Sequence, residues 1–138
     1  MLPRRNRLHR PAEVQRVRQL GQAWRHPLAI LLTCPAAGDG PAISGEHEAT
    51  PPARFAFVAS RRVGNAVARN RAKRLLREAV RQNLGELTPG WNCVVIARQN
   101  TPAASFTEVE AAVRQLLSRA RLMPHRSPAP PVREEEST

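Results

Sequence analysis

Two short apolar runs, RFAFVAS at 54–60 and WNCVVIA at 91–97, bracket a stretch whose apolar residues repeat at helical spacing. This strand–helix–strand pattern restricts the fold more than any other feature of the chain. Over 68–84, Ala68, Ala72, Leu75, Leu76 and Ala79 fall on one face. Arg69, Lys73, Arg77 and Arg81 climb the other side at steps of four, with Asn70 and Arg74 beside them. A helix of this length between two strands has crossover length, so the strands are expected to be parallel neighbours. In the first strand Phe55, Phe57 and Ala59 alternate with Ala56 and Val58, and two apolar faces predict a central strand.

The flanking segments supply the remaining elements. A basic arm at 1–10 leads to Pro11 and Glu13, which suit the first turn of a helix over 11–20 with Val14, Val17 and Leu20 on one face; Gly21 is expected to end it in a left-handed cap. The segment 24–33, containing LAILLT between Pro27 and Pro35, predicts a strand. Residues 34–53, rich in Pro, Gly and Ala, predict a flexible loop. Ser105 and Glu108 have capping-box spacing and open a helix to about 122, with Phe106, Val109, Val113, Leu116 and Leu117 facing inward. From 123 to 138 the chain is proline-rich and then acidic, the composition of a disordered tail. The expectation is one domain over 1–122, an α/β (α+β) sandwich in the order α-β-β-α-β-α, with a small central sheet and helices on one side.

Charge bounds the partner. Residues 61–81 carry eight basic side chains against one acid, Glu78, and the 138-residue chain has a net charge of +11. Such an excess favours a polyanion, and arginine supplies forked donors for phosphate oxygens. Asn70 adds no charge, so it serves either donor–acceptor recognition or local backbone bonding. Gly64 suits a turn and Asn65 a helix cap. Metal-dependent phosphodiester cleavage needs converging carboxylates, yet the one aspartate, Asp39, sits in the loop and the glutamates are scattered. No catalytic or metal-ligating set is expected in the protein. Cys34 and Cys93 are expected as buried, reduced strand thiols, and His9, His26, His47 and His125 stand singly. No apolar run is long enough to span a bilayer and the N-terminus lacks a secretory apolar core, which predicts a cytoplasmic protein without a membrane partner. The NRAKR segment has the look of a DNA-binding zipper's basic region, but Thr88, Pro89 and Gly90 stop the helix before heptads can build. RNA, including ribosomal RNA, is therefore favoured over DNA.

With these residues in view, SRRVGNAVARNRAKRLLREAVR at 60–81 resembles the central signature of the protein subunit of bacterial ribonuclease P. The similarity extends to RNRLHRPAEVQRV at 5–17, the strand at 28–33 and VVIARQ at 94–99. The resemblance implies a left-handed β-α-β crossover through the signature helix. It implies a protein that binds the catalytic ribonuclease P RNA and the 5′ leader of precursor tRNA, and so assists endonucleolytic removal of that leader. Hydrolysis falls to the RNA subunit, with Mg2+ bound chiefly by that RNA. By position, Arg69, Asn70, Arg71, Lys73, Arg74 and Arg77 would face the catalytic RNA, led into by Arg61, Arg62, Gly64 and Asn65. The family's leader cleft, between the first helix and the sheet, often carries aromatic residues; the matching positions here are Val14, Arg18 and Leu32, and the chain has no tyrosine. Apolar contact and charge would replace stacking at that cleft.

Overall fold

The structure, a computed structural model, describes residues 2–36 and 51–123. Seven main elements follow in the order α1 (Pro11–Leu20), β1 (Gln22–His26), β2 (Ala29–Pro35), β3 (Arg54–Val58), α2 (Ala66–Gln82), β4 (Trp91–Ala97) and α3 (Phe106–Arg119). The α/β sandwich expected from the sequence forms around a four-stranded sheet in the order β1-β2-β4-β3. It contains one more strand than expected, because 24–33 is a hairpin rather than a single strand. Pro27 and Leu28 form its two-residue turn between the paired His26 and Ala29, and the Leu28 amide donates to His26 Nδ1 at 3.0 Å. Strand β1 is not separable in the sequence because QAWRH is largely exposed and lacks an apolar alternation.

The strands joined by α2 are parallel, as its crossover length requires, with Phe55 opposite Cys93 and Phe57 opposite Val95. The central place expected for β3 is corrected: it is an edge strand, and its neighbour β4 lies inside the sheet. Both faces of β3 are apolar because both faces of the sheet are covered, which periodicity alone cannot distinguish from a central place. The outer edge of β3 is partly closed by the basic arm, whose Leu8 amide donates to the Phe55 carbonyl at 2.9 Å. Leu2 and Leu8 are buried, and Asn6 Nδ2 donates to the Ala53 carbonyl at 2.9 Å, so this arm is anchored by packing as well as charged.

Helices occupy both sheet faces, not one. Helices α2 and α3 pack together beneath Ala29, Leu31, Phe55, Cys93, Val95 and Ala97, and α2 contributes the buried Ala72, Leu76, Ala79 and Val80. Helix α1 lies on the opposite face, where Val17 and the half-buried Val14 meet Leu32, Cys34 and Val94. Each fully buried Val, Leu or Phe contributes roughly 1.5–3 kcal/mol relative to exposure, so the larger cluster dominates stability.

The ends of several elements differ from expectation. Leu20, expected on the packed face of α1, is 67% exposed. Gly21 is extended (φ −72°), not left-handed; a Cβ there would lie 2.4 Å from the Val17 carbonyl oxygen and 3.0 Å from that of Thr33. Strand β2 takes in Cys34 and Pro35, so the loop begins later than 34; residues 37–50 of that loop lie outside the described residues. Helix α2 begins two residues before 68 because Asn65 caps it, and ends at Gln82. The Ser105–Glu108 capping box is present, but Phe106 at the first position of α3 is 37% exposed rather than inward. Helix α3 stops at Arg119, and Arg121 at φ 63° turns the chain so that Leu122 and Met123 enter the core. Met123 thus belongs to the packed domain; the expected tail at 124–138 lies outside the described residues.

Candidate nucleic-acid interface

The signature helix is prepared by local chemistry. Ser60 Oγ accepts from the Arg62 amide at 3.3 Å, seating the turn Arg61–Val63. Gly64 then adopts φ 141°, and a Cβ there would lie 2.9 Å from Ala68 Cβ. Asn65 Oδ1 accepts from the Ala68 amide at 2.9 Å, satisfying one open donor of the first turn. Gly64 and Asn65 therefore set the direction in which α2 leaves the sheet.

The basic side chains of α2 fall into distinct settings. Asn70 and Arg74 are exposed on the outer face, with Arg61 and Arg62 exposed in the turn before the helix. Arg69, Lys73 and Arg77 are half-buried along one flank, where Arg77 lies 5.7 Å over the Phe57 ring and Arg69 Nε is buried without a hydrogen bond. The full i+4 ladder is therefore not equally free. Arg71 lies apart from that flank, with its Nε donating to the Pro102 carbonyl at 2.7 Å. Arg81 binds both oxygens of Glu78 at 2.8–3.1 Å. These hydrogen bonds from Arg81 are the main reason that the Glu78 carboxyl is held down at about 2. The one acid of the segment is thus occupied at the helix's last turn and leaves the outer face positive around Asn70 and Arg74.

The expected cleft residues are brought together only in part. Val14 and Leu32 are half-buried in one apolar cluster between α1 and the sheet, whereas Arg18 is exposed and stands outside it. Beyond the cover of α1 the same sheet face continues through Ile96 and Ile30. There it floors an open cavity of about 920 Å³, walled by Arg25, Arg62 and Arg98 with Ser60 and Asn100. An apolar floor with cationic walls suits a nucleobase and its phosphate together. Arg98 NH1 donates to the His26 carbonyl at 3.4 Å, joining the cavity's two sides.

The Ribonuclease P family model matches residues 2–121, the whole of this architecture apart from its last turn. The chain belongs to the ribonuclease P protein family. It is a protein subunit of ribonuclease P and acts in tRNA processing. The ribonuclease P protein component of Herpetosiphon aurantiacus is 34% identical over 121 residues, covering 88% of this chain and 89% of that protein. That of Chloroflexus aurantiacus is 41% identical over 121 residues, covering 86% and 79%. The solved ribonuclease P protein of Staphylococcus aureus superposes with a TM-score of 0.68 over 86% of this chain and 98% of its own; at 23% identity it speaks for the fold alone.

In this ribonuclease P protein, the sequence does not single out Arg25, Ile30, Ile96 and Arg98, which line the cavity. Arg25 sits on the unrecognised strand β1, and Arg98 lies just after β4, inside the VVIARQ segment that carries the resemblance but with no residue pattern that marks it as a contact. Strand parity could have flagged the two isoleucines, since they share a face with Leu32. Both cysteines are buried and free, and burial raises the Cys93 thiol pKa well above its ordinary value. Among the described residues no three His, Cys, Asp or Glu side chains gather as a cation site requires, and no helix is long and apolar enough to cross a membrane.

Proposed function

We propose that α2 docks this subunit onto the catalytic RNA of ribonuclease P while the sheet face beside α1 receives the 5′ leader of precursor tRNA. The observation that carries this reading is the division of the positive charge into two separate surfaces, a convex helix face around Asn70 and Arg74 and a concave cavity walled by Arg25, Arg62 and Arg98. Arg61, Gly64 and Asn65 lead into the helix surface, and Arg69, Lys73 and Arg77 extend it along the β3 flank. Val14 and Leu32 supply the apolar part of the leader cleft and Arg18 a charge at its rim. Phosphate neutralisation releases counterions at both surfaces, and the apolar floor favours an unpaired strand whose bases are free to contact it.

In this reading the RNA subunit performs the phosphodiester hydrolysis. Among the described side chains no cluster of carboxylates gathers to seat magnesium, the expected metal. It is assigned to the RNA, and the protein's part is confined to binding and orienting the two RNA chains. A cytoplasmic location, with no membrane or DNA partner, belongs to the same reading and is supported by tRNA as the substrate class.

Reconstitution tests the whole of it. The purified protein is expected to leave precursor tRNA intact, and to stimulate cleavage when added to its cognate RNA subunit at low magnesium. Folded protein that fails to stimulate, or that cleaves alone, overturns the proposal.

A further inference from the structure

Arg71 occupies a signature position, yet its exposed side chain bonds back across the surface to the protein's own backbone. Its Nε donates at 2.7 Å to the carbonyl of Pro102, thirty-one residues away in the turn Thr101–Ala103. A charged donor on a carbonyl at this distance is a strong, directional bond, and the acceptor lies in a turn whose backbone is restricted by proline. The neighbouring Thr101 is fully buried. Its Oγ1 accepts from the Arg98 amide at 2.8 Å and donates to the Leu28 carbonyl at 2.8 Å. Through these bonds α2 is tied to the segment 98–100 that walls the cavity, and that segment to the β1–β2 hairpin that walls its other side.

We infer that Arg71 is a positioning residue, whose bond to Pro102 fixes α2 relative to the cavity and so sets the separation at which the protein presents its two RNA surfaces. This deepens the proposed function and rests on it. A substrate leader anchored in the cavity and a catalytic RNA held on α2 meet in register only if the two surfaces do not slide. The bond spans the junction between the helix and the cavity wall, where a change in α2 registers at the cavity without any contact between Arg71 and RNA.

The test is Arg71→Ala in the reconstituted holoenzyme and in the free protein. For a precursor with a leader of several nucleotides, KM is expected to rise about 3- to 10-fold, the range set by the loss of one hydrogen bond. KM for a precursor with a one-nucleotide leader stays unchanged. The dependence of RNA-subunit affinity on salt keeps its slope, and in the free protein amide exchange at Ala103 and Ala104 accelerates. A slope reduced by about one means that Arg71 neutralises a phosphate and overturns the inference. So does an equal loss on both substrates, or unchanged exchange at the turn. Failure of the wild-type protein to stimulate cleavage would count against the proposed function, whereas the exchange measurement judges the Arg71 tie in either case.

Discussion

At the scale of single residues, the start of α2 depends on a backbone conformation that side chains rarely adopt. Gly64 combines φ 141° with a 2.9 Å approach between an added Cβ and Ala68 Cβ, so alanine there meets both backbone strain and a clash with the helix it introduces. Gly64→Ala is expected to lower unfolding free energy by about 1–3 kcal/mol, read from urea denaturation. It should also weaken RNA-subunit binding by misdirecting α2. The Gly64–Asn65 pair is legible in the sequence because its chemistry is local: a turn, then a side-chain cap on the next helix. Gly21 is not legible, for the opposite reason. Its requirement is clearance from the Val17 and Thr33 carbonyls, and the second of these comes from a strand that only the tertiary fold brings alongside.

At the scale of elements, legibility follows how much of each signal lies within one segment. Strand β4 and the N-termini of α1 and α3 match their expected positions because β-branched enrichment, a first-turn proline and a capping box are all local. In the capping box of α3, the Glu108 amide donates to Ser105 Oγ at 3.1 Å and Glu108 Oε1 accepts from the Ser105 amide at 3.0 Å. Ser105→Ala is expected to destabilise the protein by about 1 kcal/mol in thermal or urea unfolding, because it leaves a first-turn donor without its partner. Ser105→Asp, which restores an acceptor at the cap, should recover most of that loss. The C-terminus of α3 is less legible, since Arg121 is a non-glycine residue in a left-handed conformation and no residue-type signal announces it. Strand β3 shows the limit for whole strands: alternation gives its two faces, but whether it lies at an edge depends on which strand pairs beside it.

At the scale of the whole molecule, a net charge of +11 attracts RNA over distances near the Debye length but does not say which side chains meet phosphate. The fold makes that selection by orienting α2. Arg81 is occupied by Glu78, Arg77 lies over Phe57, Arg71 is tied to Pro102, and Arg74 is exposed on the outer face. The helical phase legible in the sequence separates the packed face from the basic one and places Glu78 one turn from Arg81, but it cannot rank the other basic residues, because Arg77 and Arg71 meet their partners on β3 and in the turn before α3. If Arg74 neutralises one phosphate, Arg74→Ala should reduce the slope of log affinity against log salt by about one when RNA-subunit binding is titrated between low and physiological salt. Asn70→Ala, on the same exposed face but uncharged, should leave that slope unchanged while lowering affinity if its amide contacts the RNA. An unchanged slope for Arg74→Ala would mean that the outer face of α2 is not the surface on which phosphate is neutralised, and would move the docking site toward the half-buried flank of Arg69, Lys73 and Arg77.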